Sequence, residues 1–197
     1  MDIFSHALWT NVAYGKARKH AVLAMLVGVL PDLISFSPFF SQRLFFSEEP
    51  LVVNGEAHGI ASMAGLMHRP EFADIPQYVF MLYNWTHSLV VFAAVFLLVY
   101  LITRSVWLPI FGWAMHIGVD IFSHSSEFFP TPFLWPLSSF KISVISWGHP
   151  LFLGANFAAL ATVYSVWHFR RKLHKTSLDF ARDKQTAEEH AFLAQDS

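Results

Sequence analysis

The chain has 197 residues, of which 54% are hydrophobic and only 14% are charged, and its net charge is −1. An ordinary soluble domain is roughly 25% charged, and a domain of this size lacks the interior volume to hide so much apolar surface, so part of that surface is expected to face lipid. The near-neutral charge gives no basis for binding nucleic acid, and the absence of cysteine excludes disulfides and thiolate metal sites.

The N-terminal segment, residues 1–14, is apolar but too short to cross a bilayer. As a helix it would extend roughly 21 Å, whereas a span takes about 20 apolar residues. Ile3, Phe4 and Leu8 are typical of an apolar helix. We expect a half-length helix that packs inside a helical bundle and turns at residues 15–20 into the first span. The alternative is a helix that lies in the cytoplasmic interface.

Four later stretches are apolar enough to cross a bilayer. They are residues 21–40, 79–103, 106–123 and 150–169. The second carries no charge from Ser88 to Ile102 and is expected to face lipid, whereas polar residues in the first and third favour helices that face the bundle interior. The predicted fold is therefore all-α, a polytopic membrane bundle of about four transmembrane helices plus the N-terminal half-length helix.

Basic residues predict the orientation of these spans. Eight would flank one side: Lys16, Arg18, Lys19, Arg104, Arg170, Arg171, Lys172 and Lys175. Three would flank the other: Arg43, Arg69 and Lys141. Because positively charged flanks stay in the cytoplasm, we expect a multi-pass protein of a cell membrane, of the bacterial inner-membrane type, with both termini cytoplasmic. The loops at residues 41–78 and 124–149 would lie outside.

The chain changes composition at Phe169 and Arg170, where an apolar sequence becomes polar. This predicts a membrane-embedded helical metal-binding domain over residues 1–169, followed by a polar cytoplasmic tail over residues 170–197. A thin apolar stripe predicts a short exposed helix in that tail, at residues 177–193.

Histidines and aspartates recur at one depth of the predicted bundle. Counted from the basic flanks at about 1.5 Å per residue, separate helices bring these groups into one slab: His6, Asp32, His87, His116 and Asp120. Single ionisable groups inside a membrane cost several kcal/mol each, so these are expected to be paired or bound, and a divalent metal ion would gather them all. The alternatives are hydrogen-bonded packing histidines, or an ion pair between His116 and Asp120 alone.

The third span carries the sharpest pattern, His116-x-x-x-Asp120-x-x-x-His124. Spacings of four place all three side chains on one helical stripe, and two ligands four residues apart are a recurrent metal-binding arrangement. Zinc is favoured because histidine and carboxylate without cysteine suit it, with manganese and iron as alternatives. His124 is either a further ligand or an interfacial residue, and His149 is a candidate that could reach the site from an outer loop.

These residues lie in an ordered set of short motifs that resembles the YdjM-type predicted membrane-bound metal-dependent hydrolases. The motifs are Met1-Asp-Ile-Phe-Ser-His6-Ala-Leu, Leu30-Pro-Asp32-Leu, Thr86-His87-Ser88-Leu89, His116-Ile-Gly-Val-Asp120-Ile-Phe-Ser-His124 and Leu134-Trp-Pro136. The resemblance covers nearly the whole chain to about Pro136, and it carries the family's histidine and aspartate positions over to His6, Asp32, His87, His116 and Asp120. Ile34 stands where the family often has a second aspartate, which implies fewer ligands than a full multi-metal site.

The function predicted from these features is a membrane-bound metal-dependent hydrolase. A metal-bound water, its pKa lowered toward about 7, would be the nucleophile. Asp32 and Asp120 are the expected catalytic residues, both as ligands, one of them bridging two ions or orienting the water. The expected substrate is a phosphoester, such as a lipid or lipid-linked headgroup at the outer leaflet. The alternatives are a non-enzymatic metal-binding or transport protein and a structural membrane protein.

Overall fold

The computed structural model describes residues 1–15, 18–45, 51–53, 56–58, 75–126 and 129–195. The helices in chain order are α1 (Ile3–Ala13), α2 (Arg18–Phe45), α3 (Gln77–Thr86), α4 (Leu89–Thr103), α5 (Phe111–Ser123) and α6 (Pro150–Gln195), with a 3-10 turn at Leu108–Ile110. A small antiparallel hairpin, β1 (Leu51–Val53) and β2 (Glu56–His58), is the only other regular element among these residues. Apart from that hairpin, the all-α class is confirmed.

The chain divides into two compact units, Met1–Leu153 and Gly154–Ser197. The first unit contains α1 to α5, and nearly all of α6 belongs to the second. Every candidate site residue lies in the first unit.

Two helices are long and apolar enough to cross a membrane, α2 over Lys19–Phe45 and α6 over Pro150–Gln185. Helices α3 and α4 meet that requirement only as a pair, bent by 56° at the break between them. The segment Leu108–Ser123 is apolar but shorter. Two or three helices of the described residues can therefore span a bilayer, as in a membrane protein, and the count of four remains a prediction.

The outer surface of α4 is apolar. Leu97, Leu98 and Ile102 are 54%, 57% and 73% exposed. Exposed leucine and isoleucine in this density are unfavourable in water but match the hydrocarbon of a bilayer. The lipid-facing role predicted for this part of the second span agrees with that exposure.

The second span is not the continuous helix over residues 79–103 that the sequence predicted. The helix breaks at His87 and Ser88, because Ser88 caps the start of α4. The Ser88 Oγ accepts hydrogen bonds from the backbone N–H groups of Val90 and Val91 at 3.1 and 3.2 Å. The backbone N–H of Leu89 donates to the carbonyl of Phe133 at 2.9 Å. Neighbouring segments thus satisfy the backbone groups that the break frees, and His87 lies in the break.

Two further predicted boundaries are also corrected. Helix α5 begins at Phe111 rather than near residue 106, because Pro109 lacks a backbone N–H and lies in the preceding 3-10 turn. Helix α6 continues past Phe169 to Gln195, so the separate tail helix at residues 177–193 was wrong. No glycine or proline follows Gly154 in that helix to end it. A domain boundary at residue 169/170 remains a prediction based on composition.

Helices α2 and α5 cross closely at two glycines. A Cβ on Gly112 would lie 2.1 Å from the carbonyl oxygen of Ala24. A Cβ on Gly28 would lie 2.9 Å from the Oγ1 of Thr10 on α1 and 3.2 Å from the Gly112 oxygen. Small residues permit such close backbone approach in membrane helices. Because α1, α2 and α5 also carry candidate site residues, this crossing fixes the separation of those side chains.

We therefore expect Gly112→Ala to lower stability by about 1–3 kcal/mol or more, since the new methyl group must push the α2 backbone away. The matched control on the same helix is Gly118→Ala, where a Cβ meets nothing within 4 Å. That variant should equal or exceed the wild-type protein in stability, because alanine favours helix over glycine. Thermal unfolding in detergent measures both, and equal midpoints for the two variants would contradict the close crossing.

Candidate metal centre

Six polar side chains from separate parts of the first unit converge in one buried cluster. They are His6 of α1, Asp32 of α2, His87 between α3 and α4, His116 and Asp120 of α5, and His124 just after α5. Five of them are at most 5% exposed, and the side chain of Asp32 is 15% exposed. The structure thus brings together all the metal-ligand candidates drawn from the sequence except His149.

Four of these residues form a compact donor set. Asp32, His87, His116 and Asp120 each offer one ligand atom, and these atoms lie within 4.8 Å of one another. The Nε2 atoms of His87 and His116 are 3.0 Å apart. The Oδ2 of Asp120 lies 3.5 Å from the Nε2 of His87 and 3.2 Å from the Nε2 of His116. The Oδ1 of Asp32 lies 3.4 and 3.7 Å from them.

The spacing of this donor set fits a tetrahedral ion. Ligands about 2.1 Å from a tetrahedrally bound zinc stand about 3.4 Å from one another. The five measured separations lie between 3.0 and 3.7 Å, on either side of that value. The two histidines and two carboxylates present can therefore hold a divalent metal ion.

Backbone carbonyls orient both histidines of this set. The Nδ1 of His116 lies 2.7 Å from the carbonyl oxygen of Gly28, and the Nδ1 of His87 lies 3.2 Å from that of Tyr83 and 2.9 Å from the Oγ1 of Thr86. A carbonyl only accepts, so in each ring Nδ1 carries the proton, and in the neutral ring Nε2 carries a lone pair. The two Nε2 atoms face each other at 3.0 Å, and when both rings are neutral a shared cation stabilises that arrangement. Metal-binding histidines are oriented in this way by outer hydrogen bonds.

His124 is buried beside Asp120. It is 5% exposed, its Nδ1 lies 2.6 Å from the carbonyl oxygen of Phe129, and its Nε2 lies 3.5 Å from the Oδ1 of Asp120. The hydroxyl of Tyr83 donates to the same Phe129 carbonyl at 2.9 Å. His149, by contrast, is exposed, and its Nδ1 accepts a hydrogen bond from the backbone N–H of Leu151.

His6 is buried without a hydrogen bond. It is 1% exposed, and among the described residues neither of its ring nitrogens has a hydrogen-bond partner. Its Nε2 lies 3.0 Å from the Oδ1 of Asp120, and its ring stacks on that of His116 at 3.8 Å between centroids. The Oδ2 of Asp120 also lacks a hydrogen bond within the described part of the chain. Unsatisfied buried polar atoms are rare in native proteins and indicate a ligand that would satisfy them.

Sequence reasoning missed one main-chain member of the cluster, the backbone nitrogen of Met1. It contacts the Oδ1 of Asp120 and lies 2.9 Å from the Nε2 of His124. The Oδ1 of Asp2 accepts a hydrogen bond from the backbone N–H of Ser5 at 2.9 Å and so caps α1. This cap fixes the direction in which the chain enters α1 from Met1. The carbonyl partners Gly28, Tyr83 and Phe129 were missed as well, because no side-chain pattern marks a backbone group.

Comparisons with protein-family models, with curated proteins and with solved structures found no match to this chain. The resemblance to YdjM-type hydrolases therefore depends on the short motifs alone.

Proposed function

We propose that this protein is a membrane-bound metal-dependent hydrolase whose metal ion is held by Asp32, His87, His116 and Asp120. The observation that carries the proposal is the pair of histidine Nε2 atoms 3.0 Å apart, with a carboxylate oxygen of each aspartate beside them. The carboxylate of Asp120 is fully buried and that of Asp32 is 15% exposed, and negative charge is costly to bury unless a cation pairs with it. One divalent cation would pair with both carboxylates.

Zinc is the proposed ion, with manganese and iron as alternatives. Imidazole and carboxylate donors at tetrahedral separations suit zinc. Manganese is usually bound by more oxygen ligands in octahedral geometry, and iron is often held by two histidines and one carboxylate with open positions.

The two aspartates have different surroundings and are proposed to have different roles. A divalent ion bound here supplies a Lewis acid and lowers the pKa of water toward about 7. Asp32 has a 15% exposed side chain, so among the four donors it is the one that solvent reaches, and it would orient the attacking water. Asp120 is wholly buried and would serve as the fixed ligand.

The proposed substrate is a phosphoester carried by a lipid or a lipid-linked headgroup. Asp32 lies within α2, a helix that is long and apolar enough to span a bilayer, so the site would open beside the membrane rather than into bulk water. Phosphoryl oxygens are common partners of hydrolytic metal ions.

A screen of phosphoester hydrolysis tests the proposal. The full-length protein in detergent micelles is loaded with Zn²⁺, Mn²⁺ or Fe²⁺ and offered phospholipids and lipid-linked phosphates, with Asp32→Asn as the matched inactive variant. We expect metal-dependent release of the headgroup by wild type only. Protein that binds its metal fully but hydrolyses none of these substrates would contradict the hydrolase and favour the second candidate.

That second candidate is a non-enzymatic metal-binding or transport protein. It is supported by burial, because five of the six cluster residues are at most 5% exposed, as in structural sites closed to substrate. A structural membrane protein without metal is the third reading, in which the Nε2 of His6 only pairs with the Oδ1 of Asp120 at 3.0 Å.

The proposed topology has four spans and places both termini in the cytoplasm, as the eight-to-three division of basic flanking residues predicts. A reporter that functions only in the cytoplasm should therefore be active when fused after Ser197. A matched fusion near Glu56 should be inactive. The reverse pattern would invert the orientation and place the substrate at the other leaflet.

A further inference from the structure

We infer that the cluster binds two divalent ions, the second of them held by His6 and His124, with Asp32 and Asp120 each bridging the pair. This inference rests on the proposed function, which assigns the first ion to His87 and His116.

The carboxylate of Asp120 is divided between two pairs of histidines. Its Oδ2 lies 3.5 Å from the Nε2 of His87 and 3.2 Å from that of His116. Its Oδ1 lies 3.0 Å from the Nε2 of His6 and 3.5 Å from that of His124. A carboxylate that presents a different oxygen to each of two imidazole pairs has the geometry of a bridging ligand.

The carboxylate of Asp32 also presents a different oxygen to each side of the cluster, although on the second side it lies near His6 only. Its Oδ1 lies 3.4 and 3.7 Å from the Nε2 atoms of His87 and His116, and its Oδ2 lies 4.0 Å from the Nε2 of His6. Two bridging carboxylates would hold two ions at the separation of about 3.5–4 Å that is common in two-metal hydrolytic sites.

The first ion alone does not account for His6 and His124. Neither ring nitrogen of His6 has a hydrogen-bond partner among the described residues, although its Nε2 lies 3.0 Å from the Oδ1 of Asp120, and a buried polar group left unsatisfied is unfavourable. His124 is oriented like the first pair, since its Nδ1 donates to the carbonyl of Phe129 at 2.6 Å and its Nε2 points to Asp120. A second ion would bind the Nε2 atoms of both His6 and His124.

The backbone nitrogen of Met1 marks the same half of the cluster. It contacts the Oδ1 of Asp120 and lies 2.9 Å from the Nε2 of His124, which are two of the atoms that a second ion would bind. A second ion would take this nitrogen as a ligand or displace it. Two divalent ions against two carboxylates leave an excess of positive charge, which a phosphoester substrate balances.

The test is the number of ions that each chain binds. Full-length protein tagged only after Ser197 is stripped with chelator, titrated with Zn²⁺ and analysed for metal per chain. We expect two ions in wild type and one in both His6→Gln and His124→Gln, with the second affinity lowered by more than about 10–100-fold, the loss typical of outer-shell partners. The exposed His168 supplies the matched control, and His168→Gln should keep two ions.

Three outcomes are distinguishable. Two ions in wild type and one in either variant that remains folded by circular dichroism support the inference. One ion in wild type, unchanged in both variants, overturns it and leaves the proposed function standing. No ion in wild type overturns the proposed function together with this inference.

Discussion

Asp120→Asn is expected to remove the bound metal while the helical bundle stays folded. Asparagine keeps the size and hydrogen bonding of aspartate but is a poor metal ligand, and Asp120 faces the Nε2 atoms of four histidines. The metal affinity should therefore fall by more than the roughly 10–100-fold loss that follows removal of an outer-shell partner. Hydrolysis should fall with it. Elemental analysis of the purified protein measures the first effect and the substrate screen measures the second.

The matched control for this substitution is Asp179→Asn, at an exposed position of α6, which should keep metal and activity. If Asp120 only paired with His116 inside the bundle, asparagine would still hydrogen-bond to the ring. The stability of the protein would then change little, because polar contacts between membrane helices average only about 0.6 kcal/mol. Full metal content in folded Asp120→Asn would show that Asp120 is such a packing residue and no ligand.

Removal of metal from the wild-type protein is expected to lower its thermal stability markedly. Without a cation, the Nε2 atoms of His87 and His116 remain 3.0 Å apart, and the carboxylates of Asp32 and Asp120 lose the divalent charge that both would bind. Metal at a thousand times its dissociation constant stabilises the folded state by about 4 kcal/mol. The unfolding midpoint in detergent should therefore fall with chelator and recover when Zn²⁺ is added back.

The histidine variants make this stability test specific. In His116→Gln the difference between chelated and Zn²⁺-loaded protein should shrink, because one donor of the first site is lost. In His168→Gln, in the second unit, the difference should equal that of wild type. An undiminished difference in His116→Gln would mean that Zn²⁺ stabilises the protein from somewhere else.

The candidate site was predictable where side chains recur at helical spacing. His116 and Asp120 share one stripe of α5 because they are four residues apart, and depth counting placed His6 and Asp32 beside them. The same depth counting also predicted the position of His87. It succeeded although the span is broken there, since the break displaces the chain only locally. His124 follows the stripe just past the end of α5, where it is buried beside Asp120.

What sequence could not predict depends on tertiary contacts. The carbonyls of Gly28 and Phe129 orient two histidines, but a backbone oxygen has no residue signature. The break at Ser88 also depends on a tertiary contact, because the carbonyl of Phe133 accepts a hydrogen bond from the backbone N–H of Leu89. At Phe169 the change from apolar to polar composition predicts a helix end. The helix continues there because no glycine or proline interrupts it.

Anomalous X-ray scattering from crystals of the Zn²⁺-loaded protein tests the central claim most directly. The account predicts a peak at the zinc edge within about 2.0–2.2 Å of the Nε2 atoms of His87 and His116, with an oxygen of Asp32 and of Asp120 completing the tetrahedron. A map with no peak at this cluster, in which the histidines bond directly to each other and to the aspartates, would contradict it.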